Sequence, residues 1–407
     1  MIKRTEYLSI LNDYKEKQLI KVVSGIRRCG KSVLLEQFMD ELLLNNVSKE
    51  QIIYINLESL ENEDLLDYKR LYKYIDSRLC KNRYTYIFLD EIQKVVGFEK
   101  VVDSLYIKPF VDIYITGSNA YMLSGELATY LSGRYIEIKM LPFSFKEYCM
   151  LNKDNDKYKL FADYLTYGGL PYYAVLRKSG VTIDKSYIEG IYNTVFVKDI
   201  EERQKRKEPD LSKRKIVDIP LLKNISKYLS SVIGSPVSLK AIADYLTSSG
   251  RKTSHVTVGD YVEALEETFL FYRVDRMDLN GKVILKQNQK YYIVDMVFRN
   301  FILAKERYDV GFTLENIVFL ELYRRGYSIN VGKAGLKEVD FVAYKDGKYE
   351  YYQVCATMID ENVFNREITP LKLIDDNYKK IIITNDSVGL GDYGGIKVVN
   401  IVDWLLQ

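Results

Sequence analysis

Leu19-Ile20-Lys21-Val22-Val23-Ser24-Gly25-Ile26-Arg27-Arg28-Cys29-Gly30-Lys31-Ser32 is the stretch on which the fold turns. Its second half fits the pattern Gly-x-x-x-x-Gly-Lys-Ser/Thr. The apolar run before Gly25 predicts a short buried strand. Beyond Lys31, the residues Leu34, Leu35, Phe38, Met39, Leu42 and Leu43 recur at helical spacing. Strand, glycine-bounded loop and helix start follow in the order that a phosphate loop requires. In such a loop the backbone N–H groups, with those of the helix N-terminus, converge on an anion. Glycines at positions 25 and 30 let the backbone turn and come close to it. Residues Gly25, Ile26, Arg27, Arg28, Cys29, Gly30, Lys31, Ser32 and Val33 are therefore the expected nucleotide cradle. Lys31 is expected at the β- and γ-phosphates of ATP, and the Ser32 hydroxyl on Mg²⁺.

Outward from the loop, residues 51–57 read as a second strand and 84–91 as a third. The third ends in the carboxylate pair Asp90-Glu91. Open α/β sheets bind ligands at the carboxyl ends of their strands. Asp90 is thus placed to join the Mg²⁺ shell, and Glu91 to orient and deprotonate a water attacking the γ-phosphate. A fourth strand, 111–119, ends in small polar residues. If it lies between the loop strand and the Asp90 strand, Ser118 or Asn119 could contact the γ-phosphate or the water. Either residue would serve equally as a helix N-cap. Arg134, in Leu131-Ser132-Gly133-Arg134, is a candidate for stabilising transition-state charge, in cis or on a neighbouring subunit. The alternative is a surface arginine in a turn.

The chain has 407 residues, enough for two or three domains, and 47% are hydrophobic. A net charge of +3 is too small to indicate nucleic-acid binding from the total, so any such case rests on local clusters. Cys29, Cys80, Cys149 and Cys355 lie far apart, without metal-type spacing, and point to a reducing compartment. The single histidine, His255, excludes a multi-histidine metal site and reads as a capping-region polar residue. The N-terminus lacks the apolar core of a signal peptide, and no apolar run approaches membrane-spanning length. A cytoplasmic protein without a membrane partner is expected.

Five motifs occur in order: the loop at 25–32, Leu89-Asp90-Glu91-Ile92-Gln93, Thr116-Gly117-Ser118-Asn119, Ser132-Gly133-Arg134, and Leu141-Pro142-Phe143-Ser144-Phe145-Lys146-Glu147-Tyr148. Together they resemble the prokaryotic AAA-type P-loop ATPase family that carries a C-terminal region of unknown function. Gly168-Gly169-Leu170-Pro171 and Leu314-Glu315-Asn316 are similar to that family as well. The resemblance spans nearly the whole chain. It implies an AAA-like core with Asp90 as the metal-side acid, Glu91 as general base and a polar sensor at Ser118 or Asn119. It also implies, less directly, a sensor or finger role for Arg134.

Residues 145–200 are helical in pattern and predict a lid over the nucleotide. A basic stretch follows, with Arg203, Lys205, Arg206, Lys207, Lys213, Arg214 and Lys215, read first as solvated linker and second as a phosphate-binding cluster. Apolar faces then predict three helices, ending in a hairpin around Asn280-Gly281. That order is a winged helix-turn-helix. As a DNA reader it would present Arg251, Lys252, Ser254 and Thr257, yet Glu263, Glu266 and Glu267 make the same helix acidic. DNA and another protein therefore both stand as partners.

The C-terminal part predicts a helix at 314–327, strands at 327–331, 338–343 and 349–355 with a turn at Asp346-Gly347, then buried strands at 379–384 and 396–399. This order, and the family's C-terminal part, resemble the restriction-endonuclease-like fold. Its active pattern is an acid on one strand and Glu-x-Lys on the next. Asp340 takes the first place, but Gln353 and Cys355 take the other two, so nuclease activity is not expected.

The expected architecture is α/β: a P-loop core at 1–144, a helical lid and basic linker at 145–215, a winged helix at 216–295 and a restriction-endonuclease-like domain at 296–407. The expected function is Mg²⁺-dependent ATP binding and hydrolysis coupled to the C-terminal modules, in a monomer or an oligomer. The alternatives are a slow nucleotide-controlled switch that binds a protein and, further off, an ATP-dependent nuclease.

Overall fold

Strand β1, Ile20–Ser24, is buried at all five positions. In the computed structural model, which describes residues 2–118, 131, 133–152, 156–181, 185–201, 204, 208, 210, 213–304 and 309–407, it lies inside a parallel sheet. The other strands are β2 (Ile52–Asn56), β3 (Thr85–Asp90), β4 (Val111–Gly117) and β5 (Tyr135–Lys139), in spatial order β2-β3-β4-β1-β5. Every neighbour pair is parallel.

A parallel sheet buried on both faces needs apolar residues at nearly every position. Helices α1 (Thr5–Asp13) and α2 (Lys31–Leu44) are amphipathic, as are α3 (Tyr68–Asp76) and α4 (Phe98–Tyr106). Ile20, Val22, Ile87, Leu89, Ile113 and Ile115 share one core with Leu71 and Ile75 of α3 and with Val101, Val102 and Leu105 of α4. On the opposite face Phe38 of α2 packs on Phe88 and Tyr114, whose rings stack 4.7 Å apart. Each such ring contributes roughly 1.5–3 kcal/mol by leaving water. Beside them lies a fully buried ion pair, Lys21 with Asp112, which also accepts the Tyr114 hydroxyl (2.8 Å) and the Glu16 N–H (2.8 Å). The α/β core with its parallel sheet is the expected one. Because β4 lies between β1 and β3, the end of β4 falls between the loop and the Asp90-Glu91 pair.

Contacts divide the chain into Met1–Pro142 and Phe143–Gln407. The second unit begins with helices α5 (Phe145–Leu151), α6 (Lys157–Tyr167), α7 (Pro171–Lys178) and α8 (Lys185–Ile191), the last running into a π-helical stretch, Tyr192–Lys198. Gly168-Gly169, in the sharp turn before α7, packs on the buried Asp295. A Cβ on Gly168 would fall 1.6 Å from Asp295 Oδ1, and the Gly169 N–H donates to Oδ2 at 2.8 Å. Helices α9 (Ile219–Ser231), α10 (Leu239–Ser248) and α11 (His255–Glu267) follow, then the antiparallel pair β6 (Phe271–Asp278) and β7 (Val283–Ile293). His255 is the exposed first residue of α11 behind the N-cap Ser254.

The hairpin does not stop with the helices. β6 pairs in parallel with β8 (Ser328–Ala334), so it continues a sheet of order β12-β13-β11-β10-β9-β8-β6-β7. Its remaining strands are β9 (Lys337–Lys345), β10 (Lys348–Cys355), β11 (Lys379–Thr384), β12 (Gly391–Asp392) and β13 (Ile396–Asn400). Helices α12 (Met296–Leu303), α13 (Val310–Arg324), α14 (Glu361–Lys372) and α15 (Ile401–Leu405) complete the unit. A boundary at residue 295 therefore separates β7 from its own sheet. The alternation of apolar residues places a strand on a face but cannot name its neighbour.

Candidate functional site

The loop between β1 and α2 turns back on the segment just after β5. Gly25 has φ +148°, and a Cβ there would lie 2.2 Å from the Met140 carbonyl oxygen, so only glycine fits. Gly30, at φ +101°, is the left-handed N-cap of α2. Arg4, which is 2% exposed, holds the loop from behind. Its guanidinium donates to the carbonyls of Cys29 (3.1 Å) and Leu141 (2.8 Å). No motif marks Arg4 in the sequence; its two acceptors stand 25 and 137 residues away.

Lys31 is buried, and its Nζ donates to the loop carbonyls of Gly25 (2.9 Å) and Ile26 (3.2 Å). The same ammonium lies 3.7 Å from Glu91 Oε1. Ser32 and Val33 follow on the first turn of α2, both half-buried; Arg27 is half-buried, Arg28 is exposed at φ +69°, and Ile26 and Cys29 are buried. Burial pushes the Cys29 thiol up, against the nearby Lys31 and Arg4 charges, so it is a packing residue and not a nucleophile.

Asp90 closes β3, and Glu91 after it adopts left-handed backbone, φ +56°. Thr116 on β4 organises both. Its hydroxyl donates to Asp90 Oδ1 (2.5 Å) and accepts the Glu91 N–H (2.9 Å). The Tyr54 hydroxyl reaches Asp90 Oδ2 at 3.3 Å. Burial and then the Asp90 charge raise the Tyr54 phenol, which keeps it a neutral donor. Glu91 Oε2 accepts from Ser118 Oγ (3.0 Å) and from Gln93 Nε2. Burial works to raise this carboxyl, but the Lys31 charge, then Gln93, Arg27 and Ser118, outweigh it and hold it below the ordinary value. The carboxylate is ionised at neutral pH, the state a general base needs. Arg27 Nε approaches Ser118 Oγ at 3.4 Å and its Nη2 lies 3.5 Å from Glu58.

The fold thus brings Lys31, Asp90, Glu91 and Ser118 to one edge of the sheet. Asn119 lies outside the described residues, as do Arg203, Lys205, Arg206 and Lys207. Arg134 is not brought to that edge. It immediately precedes β5, whose Tyr135 pairs with Ile20, and its carbonyl accepts the Ile20 N–H (2.8 Å). Its side chain pairs with Asp103 and lies 5.4 Å from the Tyr106 ring. Parallel pairing therefore sets Arg134 at the amino end of β1, a strand length of roughly 16 Å from the loop. A role for Arg134 in cis is corrected on that ground. Gln93, two residues past the expected base, is a site residue that the sequence reading passed over.

In the second unit, Arg251 donates with one nitrogen to both carboxylate oxygens of Asp218 (2.8 Å each), and Ser254 caps α11 through the Thr257 N–H (3.0 Å). Lys215 pairs with Asp260 at 2.8 Å and Lys213 with Asp210 at 3.5 Å. Three of the four residues expected to face DNA are thus engaged within the unit, while Lys252 is exposed. Asp340 and Gln353 are adjacent, as expected: the Asp340 N–H donates to Gln353 Oε1 (3.3 Å), and Gln353 Nε2 donates to Glu367 (2.8 Å). Burial pushes the Cys355 thiol up to about 12, so it carries no charge.

A family profile described as "AAA domain" matches residues 17–149, and one described as "Domain of unknown function (DUF8612)" matches 158–308. An uncharacterized protein of Haemophilus influenzae is 40% identical over 412 residues, covering 100% of this chain and 99% of its own length. The uncharacterized protein MJ1544 of Methanocaldococcus jannaschii is 32% identical over 393 residues, covering 90% and 82%. Among solved structures, the Walker-type ATPase of Pyrococcus abyssi is similar over 74% of this chain and 96% of its own, with 17% identity and a TM-score of 0.49. The Aeropyrum pernix ORC1 protein, solved in complex with DNA, is similar over 75% and 93%, with 13% identity and a TM-score of 0.33.

Proposed function

The chain belongs to the family of these Haemophilus and Methanocaldococcus proteins and carries an AAA domain, and on that premise we propose that it binds ATP with Mg²⁺ and hydrolyses it. The observation that carries the proposal is the meeting of a glycine-formed loop, the Lys31 ammonium and the Asp90-Glu91 pair at the carboxyl edge of one parallel sheet. Loop N–H groups and Lys31 bind the phosphates; Glu91 orients a water and takes its proton. Ser32 and Asp90 would hold Mg²⁺, which supplies charge neutralisation at the phosphate oxygens. Asp90 suits that place: it is 1% exposed, yet among the described residues its side chain meets only the hydroxyls of Thr116 and Tyr54 and no cation. Ser118, bonded to Glu91, supports a sensor role at this position.

The second unit is proposed as the part whose binding the nucleotide controls. The order α9, α10, α11 and hairpin supports a winged helix. The sheet from β8 to β13 with α13 and α14 supports a restriction-endonuclease-like scaffold, used for binding. DNA remains one partner class. A protein partner is favoured at α11, because Arg251 is committed to Asp218 and the helix carries Asp260, Glu263, Glu266 and Glu267.

The test compares ATP affinity and Mg²⁺-dependent phosphate release in wild type, Lys31→Ala and Glu91→Gln. Lys31→Ala is expected to lose affinity. Glu91→Gln is expected to keep it and to lose turnover by ~10²–10⁴-fold, the usual contribution of a positioned base. Wild-type turnover in Glu91→Gln would remove the assigned base.

A further inference from the structure

Lys290 lies on β7, a strand whose interior the sequence analysis did not single out. It is 2% exposed, and its Nζ meets three carboxylates from two other elements. Glu315 Oε1 on α13 is 2.9 Å away, Glu338 Oε1 on β9 is 2.8 Å away, and Asp340 Oδ1, also on β9, is 3.8 Å away. The Tyr292 hydroxyl donates to Glu315 Oε1 (2.6 Å), Arg276 lies 3.6 Å from Glu338 Oε2, and Asp340 Oδ2 accepts the Val354 N–H (2.8 Å). We propose that the Lys290 ammonium is the resident cation of this cluster, seated where a divalent metal would otherwise be held, so that the centre is kept metal-free by the protein's own side chain. The proposal does not depend on the nucleotide chemistry of the first unit.

The Glu315 and Glu338 oxygens lie within hydrogen-bond distance of Nζ and Asp340 Oδ1 stands further off, so a hard divalent cation, which takes oxygens at about 2.0–2.6 Å, would have to draw all three inward into the place of the ammonium. An ammonium binds the same lone pairs at ammonium hydrogen-bond distances, so the two cannot share them. The lysine has the advantage of being tethered. Antiparallel pairing of Lys290 with Val274 fixes its Cα. A metal entering the site would have to push a buried ammonium away from its counter-charges and leave it unpaired out of water, which is strongly unfavourable. Arg276, 3.6 Å from Glu338 Oε2, adds a second positive charge beside the cluster. The Gln353 amide is used elsewhere: its Oε1 accepts the Asp340 N–H and its Nε2 donates to Glu367. The residues present do not fit a catalytic metal. They fit a charge-compensated joint that fastens β7 to α13 and β9.

The experiment titrates Mn²⁺ into the full chain without nucleotide, read by electron paramagnetic resonance, for wild type, Asp340→Asn, Lys290→Gln, Lys290→Ala and the doubles of the Lys290 variants with Asp340→Asn. Wild type and Asp340→Asn are expected to titrate alike. A Lys290 variant is expected to gain one Mn²⁺ per chain, lost again in the double. A variant that folds only when Mn²⁺ is supplied supports the proposal in the same way. A Mn²⁺ site in wild type that vanishes with Asp340→Asn overturns it, as does plasmid cleavage by wild type with Mg²⁺ or Mn²⁺ that vanishes with Asp340→Asn. Folded Lys290→Gln and Lys290→Ala chains that gain no Mn²⁺ overturn it too. The wild-type comparison stands whether or not the Lys290 variants fold.

Discussion

Lys31 Nζ and Glu91 Oε1 stand 3.7 Å apart, the lysine 4% and the glutamate 11% exposed at the side chain. One residue begins α2 and the other follows β3, so the pair spans β4. The ammonium also binds two loop carbonyls, and its charge is the leading influence holding the glutamate ionised against burial. Phosphate and Glu91 compete for the same ammonium. Binding of an anionic ligand by Lys31 is expected to release one oxygen of the base.

The pair should be measurable in the nucleotide-free protein. Lys31→Met leaves a buried carboxylate without its cation and is expected to destabilise the first unit. Glu91→Gln in the same chain should recover part of the loss. Contacting groups couple by ~0.5–3 kcal/mol, and a denaturation double-mutant cycle reads that term. A coupling of zero would show that the two charges do not interact.

Gln93 is a positioning residue, acting through Glu91. Gln93→Ala is expected to lower kcat roughly 10-fold, equivalent to ~1.4 kcal/mol, with little change in KM. Because the Gln93 hydrogen bond lowers the Glu91 pKa, its loss should shift the acid limb of the rate profile to higher pH. An unmoved limb would leave Gln93 without influence on the base.

Arg4 ties the loop to the segment just after β5. Arg4→Ala strips donors from two buried carbonyls, each worth ~1–3 kcal/mol when left unsatisfied. A lower melting temperature and weaker ATP binding are expected together. Arg4→Lys should restore little, since an ammonium cannot present two donors in the fork geometry of a guanidinium. ATP affinity unchanged in Arg4→Ala would confine the residue to structure.

Asp295 is expected to contribute stability to the second unit on the acid side. Burial raises its carboxyl to about 7, against hydrogen bonds from Val297 and Gly169 and the Arg324 charge. The folded state thus holds this proton more tightly than the unfolded chain, where the group titrates near ~3.9. Its contribution to stability is complete below that value and is lost as pH rises through about 7. Denaturant midpoints from pH 4 to 8 should fall with pH in wild type and fall less in Asp295→Asn. Glu266, raised to about 7 by burial, adds its own share and will remain in the variant. Equal slopes in the two proteins would discount Asp295.

Much of the core could be read from local pattern. Gly25 and Gly30, the helix after Lys31, and the acids closing an apolar strand are features of a few consecutive residues. Spacing within a strand or helix fixes which face and which end a side chain occupies. The same holds for the hairpin turns at Asn280-Gly281 and Asp346-Gly347, which stand between β6 and β7 and between β9 and β10. Asp340 and Gln353 became neighbours as expected because β9 and β10 are joined by a turn too short to allow another pairing.

Residue types and spacing were silent where the partner is remote. Arg134 had the right chemistry for a finger, but the parallel register of β5 with β1 set it at the wrong end of the sheet for its own site. Arg4 grips carbonyls at Cys29 and Leu141, and Lys290 meets acids from α13 and β9; in neither case does the intervening chain hint at the meeting. The hairpin β6–β7 likewise carried its turn in sequence, yet its place beside β8 came from strand pairing across the unit. Local pattern limits each element's shape and its buried face. Neighbour order, register and the pairing of buried charges arise from the collective minimum of burial and hydrogen bonding, to which residues far apart in the chain contribute at once.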